Sequence, residues 1–156
     1  MKRTFACGII LLSSAIGLML APGRAVLGLA AQTPGAEDIP VFHADAPKGP
    51  LPDTMDPDAF PDPVMKNAYT VAGRVKKVLY QQPCYCHCDR SQGHGSLLDC
   101  FTSRHGSGCG TCMAEDFYSY EQTRKGKTPA QIREGIEKGE WQKVDLSKYQ
   151  QPLAEK

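Results

Sequence analysis

Residues 83–112 read PCYCHCDRSQGHGSLLDCFTSRHGSGCGTC, and this stretch decides how the chain is organised. It holds six of the seven cysteines, Cys84, Cys86, Cys88, Cys100, Cys109 and Cys112, with His87, His94 and His105 among them. Thiolate sulfur and imidazole nitrogen form the donor set preferred by soft and borderline ions such as Cu(I) and Zn(II). Cys109 and Cys112 have the two-residue spacing by which a turn offers two thiolates to one metal, and a helix N-terminus there favours the thiolate. The candidate metal ligands are therefore Cys84, Cys86, Cys88, Cys100, Cys109, Cys112, His94 and His105, enough for two tetrahedral ions or a small Cu(I) thiolate cluster. In an extended Cys-x-Cys-x-Cys run, His87 alternates away from the sulfurs. Asp89 and Asp99 read as cap and turn residues.

On either side the pattern is helical. Asp62-Pro63 is an N-cap followed by proline at the first helical position, and Met65, Ala68, Ala72, Val75 and Leu79 recur at helical spacing. Pro83 disfavours helix in the residue before it, so this helix is expected to run to Gln82. Ser96-Leu97-Leu98-Asp99 matches a capping box and predicts a short helix carrying Cys100 and Phe101. A second long helix is expected from about Thr111 to Gly126, burying Met113, Phe117 and Tyr120, with Glu115 and Asp116 placed to suit the helix dipole. Thr128-Pro129-Ala130-Gln131 opens a further helix through Ile132 and Ile136 that stops at Gly139. Trp141 is expected to pack back on the core.

The fold expected is thus a small all-α domain over residues 63–145, three to four helices around a Cys/His-rich loop, with a disordered N-terminal stalk. Its apolar residues are few for that many helices, and domains this small often need a metal or disulfide staple. Residues 32–62 carry seven prolines and read as a linker; Ala36–Thr54 shows no apolar face to dock, so its deletion is expected to leave stability unchanged. His43 stands alone there and reads as solvated, and residues 146–156 read as a loosely held tail. At the start, Lys2 and Arg3 precede an apolar run from Ala6 to Ala21 that breaks at Pro22-Gly23, the pattern of a secretory signal over residues 1–31. Left uncleaved, it would tether the domain to a membrane; Cys7, ahead of the apolar core, is lost if cleavage occurs. The expected location is outside the cytoplasm. Loss of Lys2, Arg3 and Arg24 leaves 15 basic and 17 acidic side chains, which gives no concentrated basic surface for nucleic acid.

From Ala68 to Trp141 the chain resembles the bacterial proteins named for a PCYCGC motif, here Pro83-Cys84-Tyr85-Cys86-His87-Cys88. The likeness continues through Gly93-His94, Asp99-Cys100-Phe101, Cys109-Gly110-Thr111-Cys112 and Gly126-Lys127-Thr128-Pro129-Ala130-Gln131-Ile132-Arg133. It implies an exported or membrane-tethered protein of no established role. The departure is His87, where the motif has glycine.

Three chemistries fit the residues. The first is a metal-binding protein with a structural, delivery or sensing role, its cofactor Zn or Cu. The second is a disulfide-stapled interaction module: six cysteines permit 15 connectivities, although cysteines two apart are hard to join. The third is a thiol redox protein. Covalent c-type haem would need a histidine after Cys112, where Met113 stands, and a thioredoxin-like scaffold would need strands. A Cys100–His105 nucleophilic pair is a weak reading amid five other thiols, and no enzyme is expected.

Overall fold

The computed structural model describes residues 38–153; the expected signal and the first part of the stalk lie outside these residues. The described residues form five α-helices joined by 3₁₀ turns, with no strand among them. Among the described residues, no helix is long and apolar enough to cross a membrane.

Helix α1 (Pro63–Arg74) starts as the sequence dictates: the Asp62 carboxylate accepts from the Met65 amide at 3.0 Å, and proline follows the cap. The long helix expected up to Gln82 is broken at Val75, whose backbone leaves helical geometry (φ −118°, ψ 26°), and resumes as α2 (Lys76–Leu79). Gly73, two residues earlier, lowers the cost of a kink. Helix α3 (Cys88–Gln92) was not evident from periodicity and ends at Gly93 in left-handed geometry. The capping-box segment forms a 3₁₀ turn, Leu97–Phe101, followed by another, Arg104–Gly108. Helix α4 (Gly110–Arg124) and helix α5 (Pro129–Glu137) lie close to their expected bounds, and α5 carries the Thr128/Gln131 capping box.

Helix α4 is the axis of the domain. Residues Cys112–Ser119 are all buried, so it has no polar face over those turns. Glu115 and Asp116, expected where the helix dipole favours them, are fully buried. Tyr69, Ala72, Leu79, Leu97, Leu98, Phe101 and Phe117 form the main core, which is continuous with Cys84, Cys88, Cys100 and Cys112. Tyr118, Ile132 and Ile136 make a smaller cluster, against which Trp141 packs. There α5 approaches α4 at Gly135. A Cβ at that position would collide with the Tyr118 hydroxyl and sit 3.0 Å from Glu140 Oε2, the atom to which that hydroxyl donates at 2.5 Å.

Two segments depart from expectation. Residues 38–62, read as a linker, run along the domain: Phe60 is 3% exposed and stacks on Tyr69, Leu51 and Met55 pack on the core, and the Met55 amide donates to Phe101 O at 2.8 Å. His43, expected in solvent, stacks on Tyr80 with ring centroids 4.0 Å apart. Isolated apolar anchors between prolines provide the docking, with no periodic face. The tail also docks. Tyr149 stacks on Phe117 at 3.5 Å, and Asn67 Nδ2 donates to the carbonyls of Tyr149 and Gln151 at 2.7 and 2.8 Å.

Candidate metal centre

Gln82 fixes the start of the cysteine loop. Its buried amide Nε2 donates to Pro129 O at 3.2 Å, and its carbonyl accepts from the Leu97 amide at 2.9 Å, tying the loop to α5 and to the Leu97–Phe101 turn. Pro83 follows, and the Cys84 carbonyl accepts from the His87 amide at 3.0 Å, so the motif is a turn and not an extended run. His87 sits in the left-handed region (φ 55°, ψ 38°), alone among the described non-glycine residues, and directs the chain into α3 at Cys88. That conformation explains a glycine in the motif, since only glycine adopts it without cost. A second glycine lets His105 approach: a Cβ on Gly106 would lie 2.8 Å from Cys100 O.

These turns bring seven of the eight expected donors together. One ligand atom from each of Cys84, Cys86, Cys88, Cys100 and Cys112 falls within 4.8 Å of all the others, and the same holds for Cys88, His94, Cys100 and His105. Sulfur separations are 3.3 Å for Cys84–Cys86, 3.4 Å for Cys84–Cys112 and Cys86–Cys112, 3.7 Å for Cys88–Cys100 and 3.8 Å for Cys84–Cys100. A tetrahedral zinc with bonds of about 2.3 Å has a sulfur–sulfur edge of about 3.8 Å, so the pocket has the dimensions of an ion's ligand sphere. His105 Nε2 lies 3.0 Å from Cys88 Sγ, and His94 Nδ1 lies 3.4 Å from Cys100 Sγ. The Cys86 and Cys88 sulfurs are in disulfide-like contact. The cluster can bind a metal.

Cys109, expected as a ligand, is not part of either donor set. It caps α4 in extended geometry and is half-buried beside Cys112. His87 faces the acids Asp38 and Asp89, at 3.7 and 3.9 Å. Asp99 acts as the turn residue expected, its carboxylate accepting from the Gly95 and Ser96 amides at 2.7 and 3.2 Å. Glu115 was missed. Its Oε1 accepts from the Tyr85 amide at 2.8 Å and so clasps the motif to α4. The available signal was its position three residues after Cys112, on the same helical face.

Sulfurs this close cannot all carry charge. Hydrogen bonds from the Cys100 and Cys112 thiols, aided by the Cys86 amide and opposed by burial, lower Cys84 to about 3. The Cys112 thiol pulls Cys100 down, but hydrogen bonding to Cys84 and burial outweigh it and leave Cys100 raised. Cys112 is raised by its hydrogen bonds to Cys100, Cys109 and Cys84. Hydrogen bonding with Cys112 lowers Cys109 to about 6. Burial, then the neighbouring Cys84 charge, pushes Glu115 well above the usual carboxylate range, and burial alone does so for Asp116. In the ion-free cluster Cys84 is thus a deeply held thiolate beside the protonated Cys100, Cys112 and Glu115.

No curated protein and no solved structure matches the chain. A family model does, described as a protein of unknown function with PCYCGC motif, and it takes in the docked residues ahead of α1 as well as the cysteine cluster. With residues 43–146 matched, the chain belongs to the PCYCGC-motif family.

Proposed function

We propose that this chain is an exported metal-binding protein that holds Zn(II) or Cu(I) at its cysteine–histidine cluster for a structural, delivery or sensing role. The observation that carries this reading is the convergence of five sulfurs and two imidazoles from separate turns and helix ends into two overlapping, largely buried donor sets. A core that gathers that many soft donors at ligand-sphere spacing is matched to an ion in the softness of its donors as well as in size. Export rests on Lys2, Arg3 and the apolar run that follows them. The Cys86–Cys88 contact favours a second reading, in which a disulfide or redox-active pair replaces the ion; the other described cysteines stand unpaired.

Native mass spectrometry of protein taken from its own compartment tests the reading. Bound ions add their mass, whereas each disulfide removes two hydrogens. An ion-free protein with oxidised sulfurs and helices intact in chelator would replace the metal reading with the disulfide one.

A further inference from the structure

We propose that the cluster holds two ions at once, joined through the Cys88 and Cys100 sulfurs as shared ligands. This rests on the metal-binding reading above and goes beyond it in stoichiometry and architecture. The two donor sets overlap at Cys88 and Cys100 and nowhere else. Cys84, Cys86 and Cys112 belong to the first set alone, His94 and His105 to the second alone. The overlap falls on the residues that chemistry allows. A thiolate sulfur has lone pairs enough to bind two ions, whereas each imidazole nitrogen has one. The shared sulfurs are also deeply placed, with Cys88 1% and Cys100 0% exposed, between the two outer groups.

Two four-coordinate ions that share a pair of ligands need six donors. Cys84 and Cys112 complete one sphere around the shared pair, and His94 and His105 complete the other. Cys86, half-buried and in contact with Cys88, is the seventh donor and the one the pair can spare. The all-sulfur sphere is the softer of the two, and the mixed sphere suits a borderline ion. The competing arrangement has a single ion in the sulfur pocket, with His94 and His105 only hydrogen-bonding to its ligands.

The reduced, ion-free full chain is titrated with Zn(II) and, separately and anaerobically, with Co(II), with ions counted by native mass spectrometry. Saturation at two per chain is expected, falling to one in the H94A/H105A double variant. Two Co(II) ions that share sulfurs couple magnetically, so the paramagnetic signal of the fully loaded parent should be weaker than twice that of the one-ion variant. Because the parent's coupling is read against free Co(II) standards as well, it decides the matter even if the double variant does not fold. Saturation at one ion, a second ion retained without both histidines, or two uncoupled cobalt ions would each overturn the shared centre while leaving metal binding intact. Binding of no ion at all would remove the metal-binding reading itself.

Discussion

Loading an ion must expel protons, and the cluster's geometry says how many. Cys84 is already a thiolate at neutral pH, held at about 3, and contributes none. Cys100 and Cys112 are both raised and enter the ion-free, reduced pocket as thiols. An ion that takes these three sulfurs therefore releases at least two protons at pH 7. Each released proton makes affinity rise tenfold per pH unit, so two give about 100-fold, or about 2.8 kcal/mol, per unit. From pH 6 to pH 8 the Zn(II) affinity of the reduced protein should thus climb about 10⁴-fold, tightening upward because protons compete with the ion. Competition against a chromophoric chelator of known proton dependence, at three pH values, measures the slope, and an indicator in weak buffer counts the protons directly. Cys100→Ser should release one fewer. A slope of one proton or none would refute the picture of a Cys84 thiolate beside Cys100 and Cys112 thiols. Acid or chelator should also reduce the helical signal, since the ligands belong to the core.

Phe60→Ala should destabilise the domain by about 3 kcal/mol or more in urea, because this residue anchors the docked segment on Tyr69; an effect near zero would return residues 38–62 to the role of a linker. Gly135→Ala sets a helix-propensity gain of about 1 kcal/mol against an overpacking cost of about 1–3 kcal/mol and the loss of the Tyr118–Glu140 hydrogen bond, so a net loss is expected. In a Tyr118→Phe background the clash with the hydroxyl is removed while the ring carbon Cζ still lies 2.8 Å from the added Cβ, so the same substitution should cost less without becoming neutral. Asp116 has a raised folded-state pKa, so its contribution to stability is present below about pH 4 and is lost as pH rises toward the folded value, about 1.4 kcal/mol per unit. Asp116→Asn should therefore be more stable than the parent at pH 7 and equal to it near pH 4, as read by denaturation of the reduced, ion-free protein.

What was legible in the sequence is what local chemistry fixes. Asp62-Pro63 and Thr128-Pro129-Ala130-Gln131 start helices through bonds to amides three residues away, and Gly139 takes a left-handed turn after α5. The cysteine loop was legible from donor type and density. Helix α4 was found without its environment, because a helix buried on all sides carries no stripe, and nothing in its composition announces that Glu115 and Asp116 are inside. The segment ahead of α1 was hidden because Leu51, Met55 and Phe60 follow no period. Cys109 falls outside both donor sets because Cys-x-x-Cys spacing describes what a turn can offer, whereas here Cys109 is the cap and Cys112 lies inside the first turn of the helix. His87 stands where backbone conformation favours glycine, and its side chain faces Asp38 and Asp89, outside both donor sets.

All seven clustered donors fall within residues 84–112, and this compactness bears on the order in which the domain assembles. Bringing Cys84 to Cys112 closes a loop of 28 residues, whereas bringing Asn67 to Tyr149 spans 82. The shorter closure costs about 1 kcal/mol less in chain entropy. Every candidate ligand precedes the first residue of α5 in the chain, so an ion bound there would gather the middle of the chain while both flanks remain unfolded. On that order its two ends, the segment through Phe60 and the tail through Tyr149, would dock onto a nucleus already in place.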